Sequence, residues 1–209
     1  MSVREELASS LGVRGQRPNE SVAQKCLAHP DLIDEIVAGL ADRNFRLAGD
    51  CAEVMTKIAE EKPALVAPRA GALLALLAHK NGRVRWESAH AFGLVAGHVP
   101  ALVAKELGPL ARIIREDESV IVRDYVIDAV ARFGATGAQA AKSAFPILRE
   151  ALDVFDSKHA ARVLGSLDGV VRAMPKLGKD ARALAQRFED HARAGVRKAA
   201  KALLKATAD

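Results

Sequence analysis

The side chains best equipped for chemistry gather in two short stretches. Glu87 and His90 lie beside Trp86, the sole tryptophan, with His79 and His98 on either side, and Asp124 and Asp128 flank Tyr125, the sole tyrosine. Spacings of three and four residues put each pair on one face of a helix. Such a set could ligate a metal or relay a proton. Carboxylates four apart are, however, ordinary on a solvated helix face, and a lone imidazole seldom holds a metal without companions. The phosphate-cradling GxxxxGK[ST], the dinucleotide GxGxxG, the zinc-protease HExxH and the hydrolase GxSxG are all absent from the chain. This pattern predicts no catalytic residue, no metal and no cofactor. It makes Trp86, Glu87, His90, Tyr125 and Asp128 the candidate contacts for a protein partner, because Trp and Tyr anchor interfaces.

A second constellation is basic. Arg46, Arg85, Arg123, Lys158 and Arg197 recur at the same place in successive segments, and the C-terminal stretch adds Arg193, Lys198, Lys201 and Lys205. One cation per segment suits hairpin packing, with Asp42 and Asp117 as available partners, and it would equally track an extended polyanion. Arg85, Arg123, Arg193, Arg197, Lys198, Lys201 and Lys205 are therefore candidate polyanion contacts. Phe188 is the one aromatic among the terminal charges, so base-stacking recognition is not expected. Cys26 and Cys51 have neither CxxC spacing nor a His at metal-finger distance and are read as reduced, buried hydrophobes.

The elements that must carry these residues are helical. Of 209 residues half are apolar but only 4% aromatic, too few for a β-sandwich core, while Ala, Leu, Arg, Lys and Glu favour helix. The net charge of +5 is uneven: residues 1–156 hold 19 basic and 21 acidic side chains, residues 157–209 hold 12 and 5. Segments starting at Phe45, Val84, Val122, Ser157 and Val196 align without gaps, 39, 38, 35 and 39 residues apart. Ala52, Ala91 and Ala129 coincide in the first three copies, which lets helices approach closely. Each segment predicts the inner helix of a hairpin. Partner helices are expected over 30–40, 69–78, 107–114, 138–152 and 180–190. Pro-Ala-Leu-Val-Ala occurs at both 63–67 and 100–104 and is read as a repeated linking turn.

The string Val-Arg-x-x-Ser-Ala-x-Ala-Phe-Gly at 84–93, with Asp117 five residues before Val122, resembles the second-helix signature of HEAT repeats. The likeness covers roughly residues 30–209 and is weakest in the fourth copy, where Ser157-Lys158 replaces Val-Arg. The N-terminal third is also similar to small, uncharacterised bacterial HEAT-like proteins that bring no established activity. The resemblance implies an armadillo-like, right-handed α-α superhelix of about five hairpins. Di-iron hydroxylases of this class carry paired His-Glu dipeptides, and none exists here; lesion-excising glycosylases use several aromatics, against one Trp and one Tyr.

The expected organisation is an N-terminal helical cap over residues 1–30, with helices at 3–11 and 19–27, followed by a repeat array over 31–209 that ends in a basic cap. The expected role is a non-enzymatic scaffold or adaptor that binds a protein partner on its concave inner-helix surface. The alternative is nucleic-acid binding, including a DNA-repair role, through the arginine ladder and the basic C-terminal helices. The first residues lack the apolar core of a secretory signal, and the longest apolar stretch, 70–78, is about half of the roughly 20 residues that cross a bilayer. A cytoplasmic chain is expected.

Overall fold

The first three inner helices begin by the same local chemistry. Asn44 Oδ1 accepts from the Arg46 amide at 3.1 Å, Asn81 Oδ1 from Val84 at 3.2 Å and Ser119 Oγ from Val122 at 3.4 Å, each satisfying an amide that has no partner within its own helix. The computed structural model describes residues 2–208, and among them no strand occurs. The fold is all-α, as composition and period predict.

The chain divides into two compact units, Met1–Val99 and Pro100–Asp209. The first holds α1 (Arg17–Ala28), α2 (Ile33–Leu40), α3 (Phe45–Glu61), α4 (Pro63–Val66), α5 (Ala70–Ala75) and α6 (Gly82–Val95). Helix α3 is its centre and packs on α1, α2 and α6. Val22, Ile33, Ile36, Cys51, Met55, Ile58, Leu73 and Phe92 are fully buried around it. Gly39 admits the close approach of α2 to α3: a Cβ there would lie 2.4 Å from Cys51 Sγ.

The second unit holds α7 (Pro100–Glu116), α8 (Val120–Gly134), α9 (Ala138–Ala151), α10 (Ala160–Ala173), α11 (Gly178–Gln186) and α12 (Ala194–Ala206). Helices α8 and α10 are central, with α7 and α9 against α8 and α12 against α10. Gly134 sits where a Cβ would meet Ala144 Cβ at 2.9 Å.

The structure differs from the sequence reading in three places. Residues 3–11 are not a helix: only Val3–Glu6 forms a 3₁₀ turn, because side chains capture the amides a helix would use. Ala8 N donates to Asn19 Oδ1 at 3.0 Å and Ser9 N to Asp50 Oδ2 at 2.8 Å. The Pro-Ala-Leu-Val-Ala copies are helical rather than linking turns. Pro63 opens α4 and Pro100 opens the 17-residue α7, since proline at a first helical position lacks only an amide that would be unpaired anyway. The fourth inner helix starts at Ala160 instead of Ser157, because Phe155, Asp156 and Ser157 all adopt left-handed backbone, with φ of 50°, 52° and 57°.

Candidate functional site

Helix α3 carries two acids where the repeat calls for apolar residues. Asp50 aligns with Ala89 of α6 and Ile127 of α8, and Glu53 with Phe92 and Val130, all four of which are buried. Asp50 is only 2% exposed and Glu53 3%, and Glu87 of α6 joins them at 3%. Burying three carboxyls requires compensation. Arg83, at the start of α6, supplies part of it: one guanidinium nitrogen lies 2.7 Å from Asp50 Oδ1 and 2.8 Å from Glu53 Oε2. Asn19 of α1 donates to the same Glu53 oxygen at 2.9 Å while holding the Ala8 amide.

The accounting leaves a gap: Glu53 Oε1 is buried with no hydrogen-bond partner. Burial pushes Glu87 up to about 8, with the charge of Glu53 adding to the effect and Arg83 opposing it. At neutral pH Glu87 is mostly protonated. Asp50 moves the other way: burial would raise it, but bonds from Ser9 and Arg83 outweigh that and hold it below the usual carboxylate range. Arg83 stays charged, the pull of Asp50 and Glu53 overcoming its own burial.

These groups floor a cleft of about 750 Å³ in the first unit. Its walls include Trp86, half-buried, and Val13 and Phe45, which are 48% and 46% exposed. Exposed Arg14 and Arg46 also line it. Two of the five residues expected to contact a partner thus line this cleft, but Glu87 lies at its floor instead of on an open helix face, because the α3–α6 contact buries it. His90 is half-buried on α6.

Tyr125 and Asp128 belong to the second unit and are half-buried on α8. Arg162 of α10 pairs with Asp128 and reaches Asp124 at 3.4 Å, its guanidinium 5.6 Å from the Tyr125 ring. Burial raises the carboxyl of Asp128 against the opposing pull of Arg162. Here the charges are matched across α8 and α10, and these acids serve as packing partners.

Three of the five rungs of the basic ladder are turn fasteners. Arg85 donates to the His79 carbonyl at 3.2 Å, Arg123 to Asp117 at 2.8 Å and Arg197 to His191 at 2.7 Å, each six residues back. Arg123 is not available to a polyanion: it is 3% exposed, with its guanidinium carbon 3.3 Å from the Phe155 ring centroid. Arg193 turns onto the carbonyls of Asp156, Ser157 and Lys158, the left-handed stretch and its neighbour. Lys198, Lys201 and Lys205 remain exposed on α12. Cys26 and Cys51 are buried free thiols, which burial first of all pushes up to about 11 and 12, so neither is a ready nucleophile. Among the described residues no group of three His, Cys, Asp or Glu is arranged to hold a metal ion. No helix among them is long and apolar enough to cross a membrane.

Sequence reasoning missed Asn19, Asp50 and Glu53. The signal was present in the alignment of repeats, as two acids in columns otherwise apolar, though not in any local motif.

No protein-family model matches the chain, and no curated protein matches it. Solved structures do. The designed armadillo repeat protein YIII(Dq)4CqI superposes with a TM-score of 0.70 at 15% identity, over 99% of this chain and 100% of that one. A second, YIII(Dq.V1)4CPAF in complex with peptide (KR)4, gives 0.73 at 17% identity over 90% and 87%. Computationally designed armadillo repeat proteins for modular peptide recognition give 0.69 at 17% over 98% of each chain. The chain has the armadillo-like helical-repeat fold that the HEAT-type pattern implies.

Proposed function

We propose that this chain is a non-enzymatic scaffold or adaptor that binds a protein partner through the cleft of its first unit. One observation carries the reading: the cleft joins exposed apolar side chains, Val13 and Phe45, and half-buried Trp86 to the carboxyl of Glu53, whose hydrogen bonding is incomplete. Apolar anchors beside unsatisfied polar groups are what a peptide segment can cover and complete. Peptide binding by designed proteins of the same fold supports the reading. In this proposal residues 1–30 cap the array, and their loop at 12–16 forms one wall of the cleft. Selection of a displayed random-peptide library tests it. Sequences enriched on the wild-type chain and lost on Trp86→Ala and Phe45→Ala are expected; enrichment equal on all three would overturn the assignment to this cleft.

A second reading rests on Lys198, Lys201 and Lys205, spaced three and four residues apart and exposed on α12, which suit contact with a polyanion such as nucleic acid.

A further inference from the structure

Beyond the partner-binding reading, and without resting on it, we propose that the cleft of the first unit binds a nucleotide, its base on the aromatic wall with an edge toward Glu53 and its phosphate at Arg14 and Arg46. The floor sets the first requirement. Glu53 lines the cleft and is 3% exposed, yet its Oε1 is buried without a hydrogen-bond partner, so a ligand that brings a donor there makes an unmet bond. That donor has to be neutral. At neutral pH, with Glu87 mostly protonated, the lining sets the three guanidinium groups of Arg14, Arg46 and Arg83 against the two carboxylates of Asp50 and Glu53, a balance that disfavours a cation. Protonated Glu87 is itself a hydrogen-bond donor. A floor that holds both an acceptor and a donor complements the edge of a nucleobase, on which donor and acceptor stand side by side.

The walls add a flat surface and a positive charge. Half-buried Trp86 and exposed Phe45 offer rings on which a base can stack. Arg83 is drawn down to Asp50 and Glu53 Oε2, at 2.7 and 2.8 Å, so the outer charge belongs to exposed Arg14 and Arg46. Arg14 is placed by backbone geometry: Gly12 and Gly15, on either side of Val13 and Arg14, hold φ of 67° and 114°, values that a side chain would resist. Arg46 stands in the first turn of α3. Both α3 and α6 bring their first turns into the lining, and neither turn carries an acid, so the helix dipoles add to the field that a phosphate meets. A volume of about 750 Å³ lies within the roughly 300–1,000 Å³ of small-molecule pockets. An acidic side chain would meet the arginines and bring no donor to Glu53. A nucleotide unites anion, ring and neutral donor in one ligand.

Trp86, the only tryptophan of the chain, reports on the site. The full chain is titrated with the four 5′-mononucleotides, and saturable quenching of its fluorescence by at least one is expected. That nucleotide should bind at least about tenfold more tightly than ribose 5-phosphate, which lacks the ring, and than its own nucleoside, which lacks the phosphate. An analogue whose base carries no hydrogen-bond donor should lose at least about fivefold. Arg14→Gln combined with Arg46→Gln, both at exposed positions, should bring the nucleotide down to the affinity of the nucleoside. A single-stranded trinucleotide of the same base that binds more tightly than the monomer assigns the ligand to a strand, and weaker binding assigns it to the free nucleotide. Absence of saturable quenching, binding no tighter than ribose 5-phosphate or the nucleoside, or a phosphate advantage that survives the double variant would overturn the inference. Inorganic phosphate binding as tightly as the nucleotide would also overturn it, reducing the cleft to a simple anion site. The peptide selection is separate, so its failure removes the partner-binding reading alone.

Discussion

Arg123 Nε lies 3.0 Å from Nε2 of His159, which makes that ring nitrogen an acceptor and fixes the proton on Nδ1, 2.6 Å from Asp124 Oδ1. The relay links α8 to α10 through an imidazole only 1% exposed. Arg123 is thus held by a carbonyl, an imidazole and an aromatic ring, a combination that the shorter, non-planar ammonium of lysine cannot reproduce.

Replacing Arg123 by Met should therefore destabilise the second unit. It orphans a buried acceptor on His159 and the Asp117 carbonyl, at a cost of about 2–4 kcal/mol. Urea titration followed by a reporter in that unit, such as Tyr125 fluorescence, measures it. A loss below about 0.5 kcal/mol would show the relay to be incidental.

Glu87 gives the first unit a pH dependence of definite sign. Its folded value of about 8 exceeds the ordinary 4.5, so between those limits the folded state holds more protons than the unfolded one. The stability it contributes is complete below 4.5 and is lost as pH rises through about 8. Glu87→Gln should flatten this fall, gaining over the wild type as pH goes from 5 to 8.5 in matched thermal melts. Parallel curves for the two proteins would contradict it.

Two glycines differ in tolerance. Gly39→Ala would drive a methyl to 2.4 Å from Cys51 Sγ in the core and should cost about 1–3 kcal/mol, whereas Gly71→Ala on α5 meets nothing within 4 Å and should be neutral or gain up to about 1 kcal/mol. Chemical denaturation of both variants checks the contrast.

For the polyanion reading, a duplex or single-stranded DNA probe should bind with an affinity that falls steeply between 50 and 200 mM salt, each phosphate contact adding about 0.9 to the logarithmic slope on duplex. Changing Lys198, Lys201 and Lys205 to Ala should cut that slope by up to about 3. No shift at low salt, or an unchanged slope, removes the reading.

The fold was legible because it is periodic: aligned alanines and the Val-Arg pairs place α6 and α8 within two residues of their observed starts. Residues 3–11 were not legible, since Asn19 and Asp50, distant in sequence, take the amides that local propensity assigns to a helix. Nor were Phe155, Asp156 and Ser157, whose left-handed backbone no glycine announces. At the site, Trp86 and Glu87 stood out by type, but the meaning of Glu87 depends on Asp50 and Glu53 across a helix interface, which only their register against Phe92 and Ile127 betrays. The cations misled in the opposite direction, because Arg85, Arg123 and Arg197 look like surface charge and are committed to carbonyls.

That commitment has a bearing on how such a chain lengthens and shortens over generations. A grip on a carbonyl six residues upstream travels with its own hairpin, so a copied or deleted repeat brings that closure along. The bridge from Arg83 to Asp50 and Glu53 has no such portability, for it needs two different hairpins at once. Gain and loss of whole repeats is therefore free to work on the regular part of the array, while the cleft stays tied to the one pair of hairpins that makes it.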